Sequence, residues 1–385
     1  MVVEPAFDAA KLAGARIVLD VSAVPRAPVG AGVYTVELAR GIGSRLGNRG
    51  FELILVTRRD DGDRWAAIAP KADIVAEAPT RRPARLVWEQ AKAPELARRL
   101  RAALWHGPHY TLPLRSNLPL VVTVHDLTFF DHPEWHERSK VAYFRQMIRR
   151  ATRRAAAVIC VSESTALRLT AVAPTRAPVA VIPHGVDHHR FTPEHAIDDR
   201  ETLAEHGIRE PFIGFVSTIE PRKNVPGLVR AFAQIADEHP DLQLVIGGSP
   251  GWGIDETRAA IAASGCATRI ARPGRIADTA LAAFYRHAAV VAYPSFEEGF
   301  GLPALEAMAC GAPVVTSRGS ALAEVVGDAA LTATPGDDRE LAQALRSALD
   351  PAVADQLRRT GPERARAFTW TASIDGHLDA YAKAL

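Results

Sequence analysis

Two α/β domains, each a doubly wound parallel sheet and facing each other across a cleft, are the fold class this sequence predicts. Three observations predict it. The chain has 385 residues, long for one core and natural for two. Short apolar runs alternate with helix-period stretches from end to end. Those runs also lack a polar face, as strands do when helices cover both sides of their sheet.

The strands are read first. RIVLDV (16–21), ELILVT (52–57), LVVTV (120–124), AVICV (157–161) and VAVIP (179–183) form one series. FIGFV (212–216), LQLVIGG (242–248), AAVVAYP (288–294) and APVVTS (312–317) form the second. Residues 184–211 between them are polar and turn-rich, with no strand pattern, so the boundary falls there. Residues 1–187 are expected as an N-terminal Rossmann-like domain and 188–365 as a C-terminal one. Residues 366–385 are helical in period and follow the second sheet, a C-terminal helix that could pack back on the first domain.

Composition narrows the function classes. Apolar residues make up 48% and charged ones 23%, an ordinary globular balance that excludes disorder. Cys160, Cys266 and Cys310 are scattered, which fits a reducing compartment and excludes a disulfide framework or structural zinc. The opening MVVEPAFDAAKLAGAR carries acids and no apolar core, so no secretory leader is expected. No apolar run reaches the roughly 18 residues of a membrane span. A cytoplasmic protein is the expectation. The net charge of +2 hides an asymmetry: residues 1–187 hold 27 Lys/Arg against 18 Asp/Glu, and the remainder 19 against 26. Either the first half faces something anionic, or surface composition has drifted.

In open parallel sheets ligands sit beyond the carboxyl ends of the strands, so candidate chemistry lies in four loops that follow strands. In SFEEGFGLPALEAMACGAP (295–313), Glu298 precedes a helix and Glu306 sits about one turn inside it. Pro303 suits the first turn and Gly311 the stop. Gly299, Phe300, Gly301 and Leu302 would bring backbone amides of the helix start close to an anion. One carboxylate could accept sugar hydroxyls while the deeper one holds a ribose diol; the plain alternative is that both acids only favour the helix dipole. In STIEPRKN (217–224), Arg222 and Lys223 are adjacent cations beside a proline, a clamp for a leaving diphosphate or a solvated turn. In VPRAPVGAGVYTVELA, Gly30 and Gly32 start a G-x-G pattern that Thr35 does not complete, so a phosphate-facing loop is expected but no nicotinamide cofactor. In TVHDLTF, His125 and Asp126 follow a strand, and such a pair could aim an imidazole at substrate.

Other segments carry less. HGPH (106–109) and HPEWH (132–136) continue into no zinc motif, so no metal is expected. GGSPGWG (247–253) lacks the Lys-Ser/Thr of a P-loop. From Arg138 to Ala157 there are seven basic residues and no acid, with Val141, Phe144, Ile148, Ala151 and Ala155 at spacings of three and four. That basic amphipathic helix either rests on an anionic membrane or covers a sheet. Nucleic acid is not expected, because no aromatic residues interleave with the basic ones.

Together these motifs resemble the retaining glycosyltransferases of family 4, over nearly the whole chain. The E-x7-E loop EGFGLPALE after AYPSFE carries the likeness most specifically, supported by EPRKN, GAGVYTVELA, VHDLTF, VSES and IPHGVD. LVWEQAKAPELARRLRAALWHGPHYTLP further resembles the branch with mannosyl- and rhamnosyltransferases of surface polysaccharides. The resemblance implies the GT-B fold, with an acceptor domain followed by a nucleotide-sugar domain. It implies that Glu306 binds the donor ribose, Glu298 contacts the transferred sugar, and Arg222 with Lys223 holds the diphosphate. His125 would approach the sugar, and Gly30 with Gly32 the phosphate. Ser217 stands where the family often has glycine, and Val33 where an arginine is common. The implied reaction moves a hexose, mannose from GDP-mannose as first choice, to a hydroxyl of a glycan or lipid-linked acceptor. Configuration is retained, and neither metal nor cofactor is used. A sugar phosphorylase or nucleotide-sugar epimerase of the same fold, and a non-catalytic sugar-nucleotide-binding subunit, are the rival readings.

Overall fold

A first strand buried on both faces sets up the whole N-terminal layer. The structure, a computed structural model, describes residues 9–46 and 50–385; the stretch Met1–Asp8, read above for a leader, lies outside the described residues. Strands β1 (Arg16–Asp20), β2 (Glu52–Arg58), β3 (Asp73–Ala78), β4 (Leu104–Gly107), β5 (Leu120–Val124), β6 (Ala157–Cys160) and β7 (Val179–Val181) form a seven-stranded sheet. Their order is β3-β2-β1-β4-β5-β6-β7, every pairing is parallel, and Val18 stands opposite Ile54 on one side and Trp105 on the other. Successive side chains of a strand point to opposite faces. Ile17 and Leu19 therefore join one core cluster, and Val18 joins the other. The first cluster is covered by helices Ala31–Arg45, Gly62–Ile68 and Trp370–Ala384. The second is covered by Arg82–Ala91, Ala93–Arg99, Arg138–Arg154 and Glu163–Val172.

The basic helix Arg138–Arg154 uses its apolar stripe in this way. Val141, Ile148 and Ala151 are buried, and Phe144 and Ala155 pack against the second cluster. Of its cations, Arg145 donates to the carbonyls of Phe129 and Phe130, Arg149 to Val172, and Arg154 to Ser116. The expected choice between membrane and sheet thus falls, for the apolar face, on the sheet.

A second sheet holds β8 (Phe212–Val216), β9 (Gln243–Gly247), β10 (Ile270–Gly274), β11 (Val290–Tyr293), β12 (Val314–Ser317) and β13 (Leu331–Ala333). The order is β10-β9-β8-β11-β12-β13, again all parallel. The chain divides into one unit of residues 1–133, 137–185 and 370–385 and another of 134–136 and 186–369. Two Rossmann-like parallel-sheet units of this kind are the fold class expected from the sequence.

The C-terminal helix is held to the first unit by a chain of hydrogen bonds whose direction is fixed from one end. Nδ1–H of His377 donates to the Ser373 carbonyl at 2.7 Å, so its Nε2 accepts from the Tyr34 hydroxyl, also at 2.7 Å. Thr123 then donates to Tyr34 at 2.9 Å, Nε2–H of His106 donates to Thr123 at 2.8 Å, and Tyr381 donates to His106 Nδ1 at 2.6 Å. The residues concerned are buried, and in this run each buried polar atom finds its partner. Among the described residues no helix is long and apolar enough to cross a membrane.

Candidate functional site

Strand order in the six-stranded sheet reverses between β8 and β11, and at such a switch point neighbouring loops leave in opposite directions and open a crevice. The two loops that do so carry the acidic and basic motifs. After β8, Pro221–Lys223 makes a single 3-10 turn, and Asn224 follows at φ 51°. Its side-chain oxygen accepts from the Gly227 amide at 3.2 Å and starts helix Val225–Ala233, with Pro226 in the first turn. After β11, the Phe296 amide donates to the Arg222 carbonyl at 2.8 Å, which ties the loops together.

Their side chains converge on one carboxylate. Arg222 Nη1 donates to Glu298 Oε2 at 2.7 Å, Lys223 Nζ donates to Glu298 Oε1, and Ser295 Oγ donates to that same oxygen at 2.8 Å. Lys223 is 5% and Glu298 7% exposed. Burial alone would raise the Glu298 carboxyl, but the Arg222 and Lys223 charges overcome it and hold the group down at about 2. Burial and the neighbouring Arg222 pull the Lys223 ammonium below its usual range, against the opposing pull of Glu298. Two cations around one buried carboxylate carry a net +1, which Glu220, 3.4 Å from Arg222 Nε and less buried, formally balances.

Helix Leu302–Ala309 begins beside this cluster in sequence, at Gly301, whose φ of 101° and lack of a side-chain cap leave the helix start to backbone amides. A Cβ on Gly301 would stand 2.5 Å from Leu322 Cδ2. Phe300 packs edge-on to Phe368 at 5.9 Å, and Leu302 is buried. After Gly299, then, the Phe300 and Leu302 side chains are taken up in packing. Glu306 lies one turn inside the helix and is separate from the Glu298 cluster: Tyr285 donates to its Oε2 at 3.1 Å. Burial pushes its carboxyl up to about 7, opposed by the Arg190 charge and the Tyr285 bond. One short loop and the helix that follows it thus carry a fixed anion and a carboxyl poised near neutrality.

The seven-stranded sheet reverses between β1 and β4. Gly30 precedes helix Ala31–Arg45 with φ 49°, and a Cβ there would meet nothing within 4 Å. Gly32 differs. Its added Cβ would press on Pro28 Cβ at 3.0 Å, which is a packing requirement. His125 is buried, and its Nε2 donates to the Pro108 carbonyl at 2.7 Å, leaving Nδ1 as the acceptor. Burial lowers its pKa and keeps it neutral. The His125–Asp126 partnership expected above does not form. Asp126 instead accepts from the Thr128 amide at 3.2 Å and hydroxyl at 2.8 Å. Adjacent residues leaving a strand point to opposite sides, so a backbone carbonyl orients the imidazole.

Several participants carried no sequence signal. Ser295 is three residues from Glu298 in the motif itself, and its burial is what makes it a partner. Tyr285 comes from elsewhere in the unit, while Tyr293 stands two residues ahead of Ser295 in AYPSFE and donates to the Val216 carbonyl at 2.6 Å, next to the β8 loop. In HGPH, His106 serves the hydrogen-bond chain described above, and His109 contacts the Thr35 hydroxyl at 3.3 Å. β4, which places both at the switch point, was absent from the expected strands.

Comparison with known proteins adds the following. Residues 28–190 match the profile "Glycosyltransferase Family 4" and residues 198–366 the profile "Glycosyl transferases group 1". The chain is 32% identical to O-antigen chain mannosyltransferase B of Escherichia coli over 285 residues, 72% of this chain and 74% of that protein. It is 33% identical to the MMP alpha-(1->4)-mannosyltransferase of Mycolicibacterium hassiacum over 287 residues, 70% and 67% of the two chains. Among solved structures, sucrose-phosphate synthase from Thermosynechococcus elongatus superposes with a TM-score of 0.76, 24% identity and coverage of 94% and 96%.

Proposed function

Because this chain belongs to glycosyltransferase family 4 and has the GT-B fold, we propose that it moves mannose from GDP-mannose to a hydroxyl of a glycan or lipid-linked acceptor, with retention of configuration and without a metal in the transfer step. The observation that carries this reading is the meeting of Arg222, Lys223 and Glu298 at the β8/β11 switch point. Arg222 and Lys223 are the kind of cations a diphosphate takes as partners, and its charge grows as the sugar leaves. The start of helix Leu302–Ala309 adds amides and dipole to the same task. The mannose assignment is supported by what the E. coli and M. hassiacum relatives are named for.

Retention is most simply reached by attack on the face from which the diphosphate departs, with the leaving phosphate taking the acceptor proton. Glu298 is poorly suited to the alternative role of covalent nucleophile: both oxygens are engaged, and the pKa near 2 marks a stabilised, weakly basic anion. It acts instead as the group that sets Arg222 and Lys223 and reads sugar hydroxyls. Glu306 holds the ribose diol. Gly30 approaches the phosphate, with Gly32 supporting the loop, and His125 approaches the sugar as a neutral imidazole. Contact of 138–157 with an anionic membrane, in this reading, rests on the exposed cations Arg138, Arg149, Arg150 and Arg153.

A thermal-shift panel of GDP, UDP, dTDP and ADP on the whole chain tests the donor. At 100 times its Kd the preferred nucleotide stabilises by about 2.7 kcal/mol, and GDP is expected to lead. Loss of that shift in Arg222→Ala and Lys223→Ala supports the clamp. A shift equal to wild type in both variants would overturn it. Incubation with GDP-mannose alone separates the rivals, since an epimerase converts donor without acceptor.

A further inference from the structure

A group of side chains away from the Glu298 cluster has the composition of a metal centre. His195, Asp199 and His287 bring one ligand-type atom each within 4.8 Å of one another, and they are the one such group among the described residues. His195 Nδ1 is 3.1 Å from His287 Nε2 and 3.9 Å from Asp199 Oδ2, and His287 Nε2 is 3.4 Å from that oxygen. A tetrahedral ion with bonds of about 2.0–2.1 Å spaces its ligand atoms about 3.3 Å apart, so the triangle already has the right size.

The surroundings make the same point. Glu210 Oε1 lies 3.0 Å from His287 Nδ1. That bond puts the ring proton on Nδ1 and turns the Nε2 lone pair toward Asp199 Oδ2 and His195 Nδ1, a position that a proton on His195 fills in the metal-free state and that a cation can take over. Carboxylate–histidine–metal relays are built this way. Asp199 is fixed in turn: Arg286 Nε donates to its Oδ2 at 2.7 Å, and the Ala196 amide to the same oxygen at 3.1 Å. An open cleft of about 830 Å³, also lined by Arg200 and Arg358, borders the group and leaves room for water at a fourth position.

We propose that His195, Asp199 and His287 bind a zinc-class divalent ion, with Glu210 as the positioning residue of His287. The ion ties the segment leading into helix Asp199–Glu205 to the end of helix Leu281–His287, directly ahead of β11, whose loop carries Ser295 and Glu298. Arg286 weakens the site for any cation, so the ion is exchangeable. It takes no part in sugar transfer.

The test uses the full chain, stripped with chelator, dialysed against Zn2+ and analysed for bound metal, with Co2+ as a spectroscopic probe. One equivalent per chain, a raised melting temperature with Zn2+ and the visible bands of tetrahedral cobalt are expected. His195→Ala, at an exposed position, should fold normally and lose all three; Glu210→Gln should weaken binding about 10–100-fold. No retained ion, or undiminished binding in His195→Ala, would overturn the proposal. So would stabilisation by inorganic phosphate in place of Zn2+, which would make the arginine-lined cleft an anion site.

Discussion

Glu298 shows how far a single side chain can be specified by its neighbours. Truncation to alanine strands Lys223, 5% exposed, without its partner, and breaking a buried pair from one side typically costs about 3–5 kcal/mol. Urea melts of Glu298→Ala should show a loss of that size. Glu298→Gln keeps much of the packing but not the charge, so its turnover should fall by about 100-fold while nucleoside diphosphate binding stays within a few-fold; calorimetry and single-turnover assays read the two separately. Glu306 invites a different measurement. Its folded pKa of about 7 lies above the ordinary carboxylate value, so its contribution to stability is complete below about pH 4.5 and disappears as pH rises through 7. In the proposed reading Glu306 holds the ribose diol, which prefers the ionised form as acceptor, so nucleotide affinity should drop as pH falls below 7. Tyr285→Phe removes a bond that lowers this pKa and should move the midpoint upward.

Single loops and strands are where local geometry decides. Gly301→Ala puts a Cβ on a backbone at φ 101° and against Leu322; a cost of about 1–3 kcal/mol is expected, visible as a lower melting temperature with the nucleotide preference unchanged. The same scale explains what the amino-acid order disclosed. Central strands such as β5, β8 and β11 are almost wholly apolar runs, and the loops after them carry their motifs openly. β3, β10 and β13 are edge strands, half-buried, short or interrupted by Pro273, and edges need little apolar surface. β4 is the instructive omission. Its Leu104–Gly107 sequence is four residues long and contains a histidine and a glycine, yet it is central, because Tyr381 and Thr123 satisfy the imidazole and Thr111 leaves no space for a Cβ at Gly107. Such compensation is tertiary and leaves no local trace. Arg222, Lys223 and Glu298 were legible because glycine and proline framing accompanied their charges; Ser295 and Tyr293 share that frame but carry no charge, and Tyr285 lies outside it.

Taken whole, the molecule stores a response to acid in its N-terminal unit. His106, His109, His125, His184 and His377 are all kept neutral by burial, His109 down to about 3 and His377 to about 4. Unfolded, each titrates near 6.5 and binds a proton that the folded state refuses, so stability falls as pH drops below about 6.5. Asp20, Glu89 and Glu306, raised by burial, act in the opposite sense, but five histidines outweigh three acids. Melting temperature should therefore decline between pH 6.5 and 4.5, and circular dichroism across that range checks it. The other unit has a property of its own. Val186 bridges to Thr369, and the Val186 amide donates to the Phe368 carbonyl at 3.2 Å, so entry and exit of the 186–369 lobe lie side by side. A lobe with its two ends stitched together is a natural cassette: on the proposed reading that it holds the sugar nucleotide, grafting the matching span from a relative with another sugar preference should transplant that preference, with both splice points already in register.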